Sequence, residues 1–253
     1  MRKLYIIGIG VGNPEHITVQ AIRALNKVDV FFFMDKGDTK EELLLLRRQI
    51  CERYIERPNF RTVELPDPVR DPAIPDYTAR VEQWHHARVQ LYEQAMLREL
   101  RDDQCGAILV WGDPSLYDST LRIVDQILAR GNLALDHEVI PGITSMQALA
   151  GGHKIPLHGI GESFLVTTGR QLAAGVPPDI RNVLVMLDAG APVSDRHNAD
   201  DDIFWGAYLG MENETLLSGK LGAVAGQIER VRNELRATHG WIMDSYLLRR
   251  PKP

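Results

Sequence analysis

The sequence predicts an α/β protein of two domains, with a mostly parallel sheet in the first and a mixed sheet in the second. Three observations lead there. Short apolar runs at 4–9, 28–34, 107–111 and 138–140 have the length of strands buried on both faces, and stretches of helical periodicity separate them. From residue 163 onward, runs at 163–168, 182–187, 203–209 and 215–221 follow one another without long helices, before a helix at 223–238 and a last apolar run at 241–247, as in a partly antiparallel sheet. Between the two textures lies Gly151-Gly152-His153-Lys154-Ile155-Pro156-Leu157-His158-Gly159-Ile160-Gly161, dense in chain-breaking residues, so the domains are expected at 1–150 and 151–253.

The first run, Leu4 to Ile9, enters the loop Gly8-Ile9-Gly10-Val11-Gly12-Asn13-Pro14, and Val19, Ile22 and Leu25 give the helix beyond it, with Thr18 at its start. The spacing is Gly-x-Gly-x-Gly, so Asn13 stands where a dinucleotide fingerprint needs its third glycine, and no Walker Lys-Ser/Thr follows. Asp35 closes the second run where a ribose-binding acid would stand, which keeps a dinucleotide oxidoreductase as a rival reading. Against it, Pro14 and the delayed Thr18 hold the helix away from the glycines.

Residues 40–55 read as a helix with a charged face and 61–65 as a short strand. The four prolines within 66–75 exclude helix and favour an extended covering loop. Thr78 to Arg101 is the longest predicted helix; Val81, Trp84, Leu91, Tyr92 and Ala95 form a stripe that also carries His85 and Arg88. Inward polar groups need partners. Either these two meet carboxylates of a ligand, or Arg88 reaches the surface and His85 is hydrogen-bonded within the fold.

The stretch 108–147 organises the chain. Two apolar runs each break at a Gly/Pro turn, Gly112-Asp113-Pro114-Ser115 and Pro141-Gly142-Ile143-Thr144-Ser145, and each turn is expected to open straight into a helix. Asp113 or Ser115 would cap the first helix, which runs through Ile123, Val124 and Ile127 to Gly131, and hydroxyls stand beside the free N–H groups of the second. Two such mouths make a polar niche for a small molecule at the carboxyl ends of the strands.

These turns, with the opening glycine loop, resemble the signature of the tetrapyrrole (corrin/porphyrin) methyltransferases: Gly-Asp-Pro after one strand, Pro-Gly-[Ile/Val]-[Ser/Thr]-[Ser/Ala] after the next, and three alternating glycines after the first. The resemblance implies two α/β domains of that type with a ligand cleft between them, S-adenosylmethionine as methyl donor, and S-adenosylhomocysteine as product. It places Gly112, Asp113, Pro114, Ser115, Tyr117, Thr144, Ser145, Met186, Tyr208, Leu209 and Leu216 at the cofactor, Met186 and Tyr208 being core residues by default. It sets Gly10, Gly12 and Asn13 beside the substrate. His85 and Arg88 join them as partners for its carboxylates, a chemistry that Lys36 and Arg170 share. Asp113 is the family-matched catalytic candidate, its plainer reading being a helix cap.

Within the family the likeness points to the aerobic cobalamin pathway: methylation at C-1 of precorrin-5 with loss of acetate. Related enzymes of the same fold methylate other tetrapyrroles, a protein or RNA, and a carrier that binds a tetrapyrrole without chemistry is a further rival.

Composition narrows the classes. A formal charge of −5 argues against a general nucleic-acid clamp, and 44% hydrophobic content suits a soluble globular chain. Cys51 and Cys105 are too few for a disulfide scaffold or a multi-cysteine metal site. His153 and His158 lack metal-motif spacing, and the acidic stretch 195–202 lacks the glycine and closing glutamate of a calcium loop, so no metal is expected. Met1-Arg2-Lys3 leads into strand-like residues instead of an apolar leader, and no run is long enough to span a membrane. An unprocessed cytoplasmic protein acting on a small molecule follows, with a homodimer implied by the resemblance.

Overall fold

The computed structural model describes residues 1–35, 41–188 and 198–252. The expected lysine Lys36 and the first three residues of the acidic stretch, 195–197, lie outside them. By its contacts the chain forms two units: Met1–Gly10 with Pro14–Ile143, and Val11–Asn13 with Thr144–Pro253.

The first unit is a five-stranded sheet in the order β3-β2-β4-β1-β5, where β1 is Arg2–Gly8, β2 Val30–Asp35, β3 Arg61–Pro66, β4 Cys105–Val110 and β5 Leu135–Ile140. All its pairings are parallel. Parallel strands need covering on both faces, and the apolar runs supply both. Leu4, Ile6, Phe32, Ile108 and Val110 pack under helices α3 (Tyr77–Glu99) and α4 (Thr120–Arg130), whereas Tyr5, Ile7, Phe31, Phe33 and Leu109 pack under α1 (Val19–Leu25) and α2 (Glu41–Tyr54). Thr18 caps α1 by accepting from the Ala21 N–H, so that helix opens well past the glycines. Neighbouring strands β1 and β4 therefore feed helices on opposite faces, and the chain parts at their carboxyl ends. That is the topological position at which open α/β sheets bind ligands.

One expected element starts elsewhere. The helix after β4 begins at Thr120, and neither Asp113 nor Ser115 caps it. Asp113 instead accepts from the Ser115 N–H at 2.8 Å in a local turn, Tyr117 takes a left-handed backbone (φ 51°), and Asp118 receives the Thr120 N–H at 2.6 Å. Side-chain capture of nearby N–H groups competes with helix here and delays it.

The second unit carries a mixed sheet, ordered β6-β7-β10-β8-β9: Phe164–Thr168, Asn182–Met186, Asp244–Arg249, Asp202–Ala207 and Thr215–Lys220. Only β6 and β7 are parallel. The long helix α7 (Leu221–His239) and the short α6 (Gly169–Leu172) cover one face over Val183, Val185, Trp205 and Tyr246. Helix α5 (Ser145–His153) lies on the other face, where Leu149 is buried with Leu184, Leu209 and Leu247. The expected break after residue 150 falls inside α5. That helix belongs by its packing to the second sheet, so the chain divides ahead of it, between Ile143 and Thr144.

Candidate functional site

Three chain corners meet at the carboxyl edge of the first sheet. They follow the neighbouring strands β4, β1 and β5, and they touch through main chain. A methyl group built on Gly142 would stand 2.2 Å from the Gly112 carbonyl oxygen and 2.8 Å from Gly8 Cα; one on Gly8 would stand 2.7 Å from both the Gly112 oxygen and the Gly142 nitrogen. Gly10 and Gly112 also form a two-residue antiparallel bridge, the Gly112 N–H donating to the Gly10 carbonyl at 2.8 Å. Only glycine lets backbones approach this closely, which is why the motifs place glycines at these points.

Asp113 ties the corners together. Its Oδ2 accepts from the Gly142 N–H at 2.8 Å, and its Oδ1 accepts from the Ser115 N–H at 2.8 Å and the Ser115 hydroxyl at 2.5 Å. Partial burial pushes its pKa up, but those three donors together outweigh burial and hold the carboxyl below the usual aspartate range. A carboxylate so engaged clamps well and abstracts protons poorly. Its stabilising contribution is present above the ordinary aspartate value and is lost as pH falls through the lowered one.

Thr144 and Ser145 open α5 in the second unit. The Thr144 hydroxyl oxygen accepts from the Met146 N–H at 3.1 Å, and Gln147 Oε1 accepts from the Thr144 N–H at 2.9 Å. The capping box thus consumes the Thr144 side chain, while the Ser145 hydroxyl lies 3.4 Å from that of Ser245. Met186, Leu209 and Leu216 share the α5 face of the second sheet, with Met186 and Leu216 only partly buried. Tyr208 does not join them. Its ring is buried on the opposite face against His239 and Trp241, and its hydroxyl donates to the Trp241 carbonyl at 2.5 Å, leaving only its backbone (φ 49°) at the turn. Tyr117, Leu187 and Tyr208 are non-glycine residues with left-handed backbone, as are Asp103 and Lys154.

Of the residues expected at the substrate, Gly10 belongs to the first unit, whereas Gly12 and Asn13 pack with the second; a methyl on Gly12 would stand 2.5 Å from Met211 Cγ. Arg88 is committed elsewhere. Its guanidinium makes a two-pronged pair with Asp67 of the proline-rich loop, at 2.8 and 2.5 Å, and stacks 3.8 Å from the centre of the Trp84 ring. This pair clips the loop to α3, helped by the Trp84 indole N–H on the Pro68 carbonyl at 2.8 Å. Arg170 is exposed on α6. No local pattern marks Asp67 as the partner of Arg88, nor Arg47, a buried guanidinium that donates to the Leu109 carbonyl at the end of β4. Nor does one mark His16, whose Nδ1 is buried without a hydrogen-bond partner in the turn after the glycine loop. Pairs so far apart in sequence leave no local pattern. Among the described residues no group of acids, histidines or cysteines is arranged to hold a metal, and no helix is long and apolar enough to cross a membrane.

Residues 3–225 match the family model of the Tetrapyrrole (Corrin/Porphyrin) Methylases. The chain belongs to that family. It is 48% identical over 250 residues to the precorrin-6A synthase [deacetylating] of Sinorhizobium sp, covering 99% of this chain and 96% of that protein. A crystal structure of a cobalamin-synthesis-related protein from Corynebacterium diphtheriae superposes with a TM-score of 0.86 at 38% identity, covering 98% of both chains. The fold is also that of a uroporphyrin-III C-methyl transferase from Thermus thermophilus complexed with S-adenyl homocysteine, with a TM-score of 0.54 at 21% identity over 89% of this chain and 86% of that one.

Proposed function

We propose that this chain is an S-adenosylmethionine-dependent C-methyltransferase of cobalamin biosynthesis that methylates C-1 of precorrin-5 and releases acetate to give precorrin-6A. The likeness to the Sinorhizobium precorrin-6A synthase along 99% of the chain carries the choice of reaction. Each unit by itself offers groups that suit the cofactor: in the first a main-chain corner at a topological switch point offers carbonyls and N–H groups, and in the second half-buried Met186 and Leu216 offer apolar surface.

S-adenosylmethionine, when bound, supplies a methyl group already activated on a sulfonium. The chain's own residues then have chiefly to orient and desolvate, which for aligned partners is worth up to roughly 7–11 kcal/mol. Gly112, Asp113, Pro114, Ser115 and Tyr117 would hold the cofactor through the first corner, and the family resemblance adds Thr144, Ser145, Met186, Leu209, Leu216 and the Tyr208 backbone as cofactor residues of the second unit. Asp113 acts as a positioning residue, fixing Gly142 against Gly112, and the base for acetate release lies elsewhere. The assembly read from the family resemblance is a cytoplasmic homodimer.

Incubation of the protein with precorrin-5 and labelled S-adenosylmethionine tests the reaction: mass spectrometry should find a product that has gained one methyl and lost its acetyl unit. A methylated product that retains the acetyl, or none at all, overturns the assignment. In Asp113→Asn an amide NH2 replaces one acceptor opposite a donor. We expect a loss of about 1–3 kcal/mol in urea unfolding and roughly tenfold weaker S-adenosylhomocysteine binding by calorimetry. Methyl transfer and acetate release should fall together; acetate release collapsing alone would make Asp113 the hydrolytic base.

A further inference from the structure

A cluster at the carboxyl edge of the first sheet is left unexplained by the corners. The loop after β3 brings Arg70 over the Trp84 ring, 4.2 Å from its centre, and His85 lies beside the same ring at 5.1 Å. Arg88, also on this indole, is neutralised by Asp67. Arg122, in the first turn of α4, is exposed and donates to the Asp118 carbonyl at 3.0 Å. Among the described residues neither Arg70 nor Arg122 has a carboxylate partner. Arg70 is thus an uncompensated cation on the indole and Arg122 a second whose charge reaches the neighbouring His85 ring, in an acidic protein of net charge −5.

We propose that Arg70 and Arg122, set around Trp84 and His85, form a docking site for carboxylate groups carried on the edge of the acceptor. The proposal rests on the reading of the acceptor as a polycarboxylated macrocycle. Each arginine contributes what the other does not. Arg70 is held by stacking, so little side-chain freedom is lost when an anion binds its fork, and Arg122 is anchored through one guanidinium nitrogen to main chain. Trp84 is fixed by its bond to Pro68, giving the arginines a rigid platform. The loop bearing Arg70 is itself pinned by the Arg88–Asp67 pair, so Arg88 serves the site by positioning.

His85 reports on the cluster. Burial lowers its pKa, and Arg122, Arg88 and Arg70 lower it further, so the ring is neutral at pH 7 and lies within the field of all three guanidiniums. A bound carboxylate offsets that field and moves the His85 titration upward.

The site is tested in two ways. In steady-state kinetics with the corrin precursor, Arg70→Gln and Arg122→Gln should each raise KM about tenfold and the pair about a hundredfold, while kcat and S-adenosylhomocysteine affinity hold. An unchanged KM in the double variant of an active enzyme overturns the site. Independently of activity, tricarballylate titrated into the wild-type protein should shift the His85 ring proton in NMR spectra and raise its pKa, and the double variant should abolish both effects. No shift in the wild type, or an equal shift in the double variant, overturns the site. A normal His85 response in a protein that leaves precorrin-5 unmethylated refutes the proposed reaction and leaves the anion site standing.

Discussion

Gly142→Ala is expected to destabilise the protein by about 3 kcal/mol or more and to abolish measurable S-adenosylhomocysteine binding. The added methyl would lie 2.2 Å from the Gly112 oxygen and 2.8 Å from Gly8 Cα, and neither obstacle is a side chain that can swing aside. Relief requires moving β1, β4 or β5, and β1 is hydrogen-bonded along its length to β4 on one side and to β5 on the other. The corners must separate instead, breaking the Gly142 N–H bond to Asp113. Gly151→Ala is the control. That position is helical with open space around it, so the substitution should be neutral or stabilising by up to about 1 kcal/mol. Urea unfolding and calorimetry read both variants, and a Gly142→Ala protein with normal midpoint and affinity would refute the junction.

Arg232→Met should cost about 3–5 kcal/mol, because it strips the cation from two buried acids. Arg232, on α7, lies 3.0 Å from Asp244 through Nε and 3.8 Å from Asp188, and all three side chains are at most 5% exposed. The Nε approach is off the N–H direction, and the hydrogen bond of the pair runs instead from Arg232 Nη2 to Asp244 Oδ1 at 3.5 Å. Burial already pushes the Asp244 pKa up, against the pull of Arg232 and of the Trp205 indole N–H at 3.0 Å. Without the guanidinium the Asp244 carboxyl should hold its proton more tightly still. Acids whose folded pKa exceeds the unfolded value stabilise at low pH and lose that contribution as pH rises. The variant's deficit should therefore be smaller at pH 5 than at pH 8 in urea titrations. A deficit independent of pH would show that lost packing is responsible.

The sequence was informative where a local rule governs. Glycines, prolines and the Thr144–Gln147 pair mark the corners and the start of α5, and the apolar runs give the strands of both sheets. It misled where distant partners compete. The start of α4 moved to Thr120 because Asp113 spends its oxygens on Ser115 and on Gly142, and the second of these is invisible to any window around residue 113. The stripe on α3 correctly marked Arg88 as inward-facing and in need of a partner, but the partner is Asp67. By default Tyr208 is a core residue, and nothing local indicates that its ring turns away from Leu209 and Leu216. The cluster of Arg70, His85 and Arg122 comes from three separate segments and has no linear signature.

The junction of Gly8, Gly112 and Gly142 has a consequence for how such a catalyst can change. A floor built from peptide groups alone holds no side chain that mutation could lengthen, charge or re-aim, so it cannot be retuned when the molecule to be modified differs. Any drift toward a new acceptor must be written in the surrounding loops, where residues such as Arg70 and Arg122 are free to vary without disturbing the strands beneath.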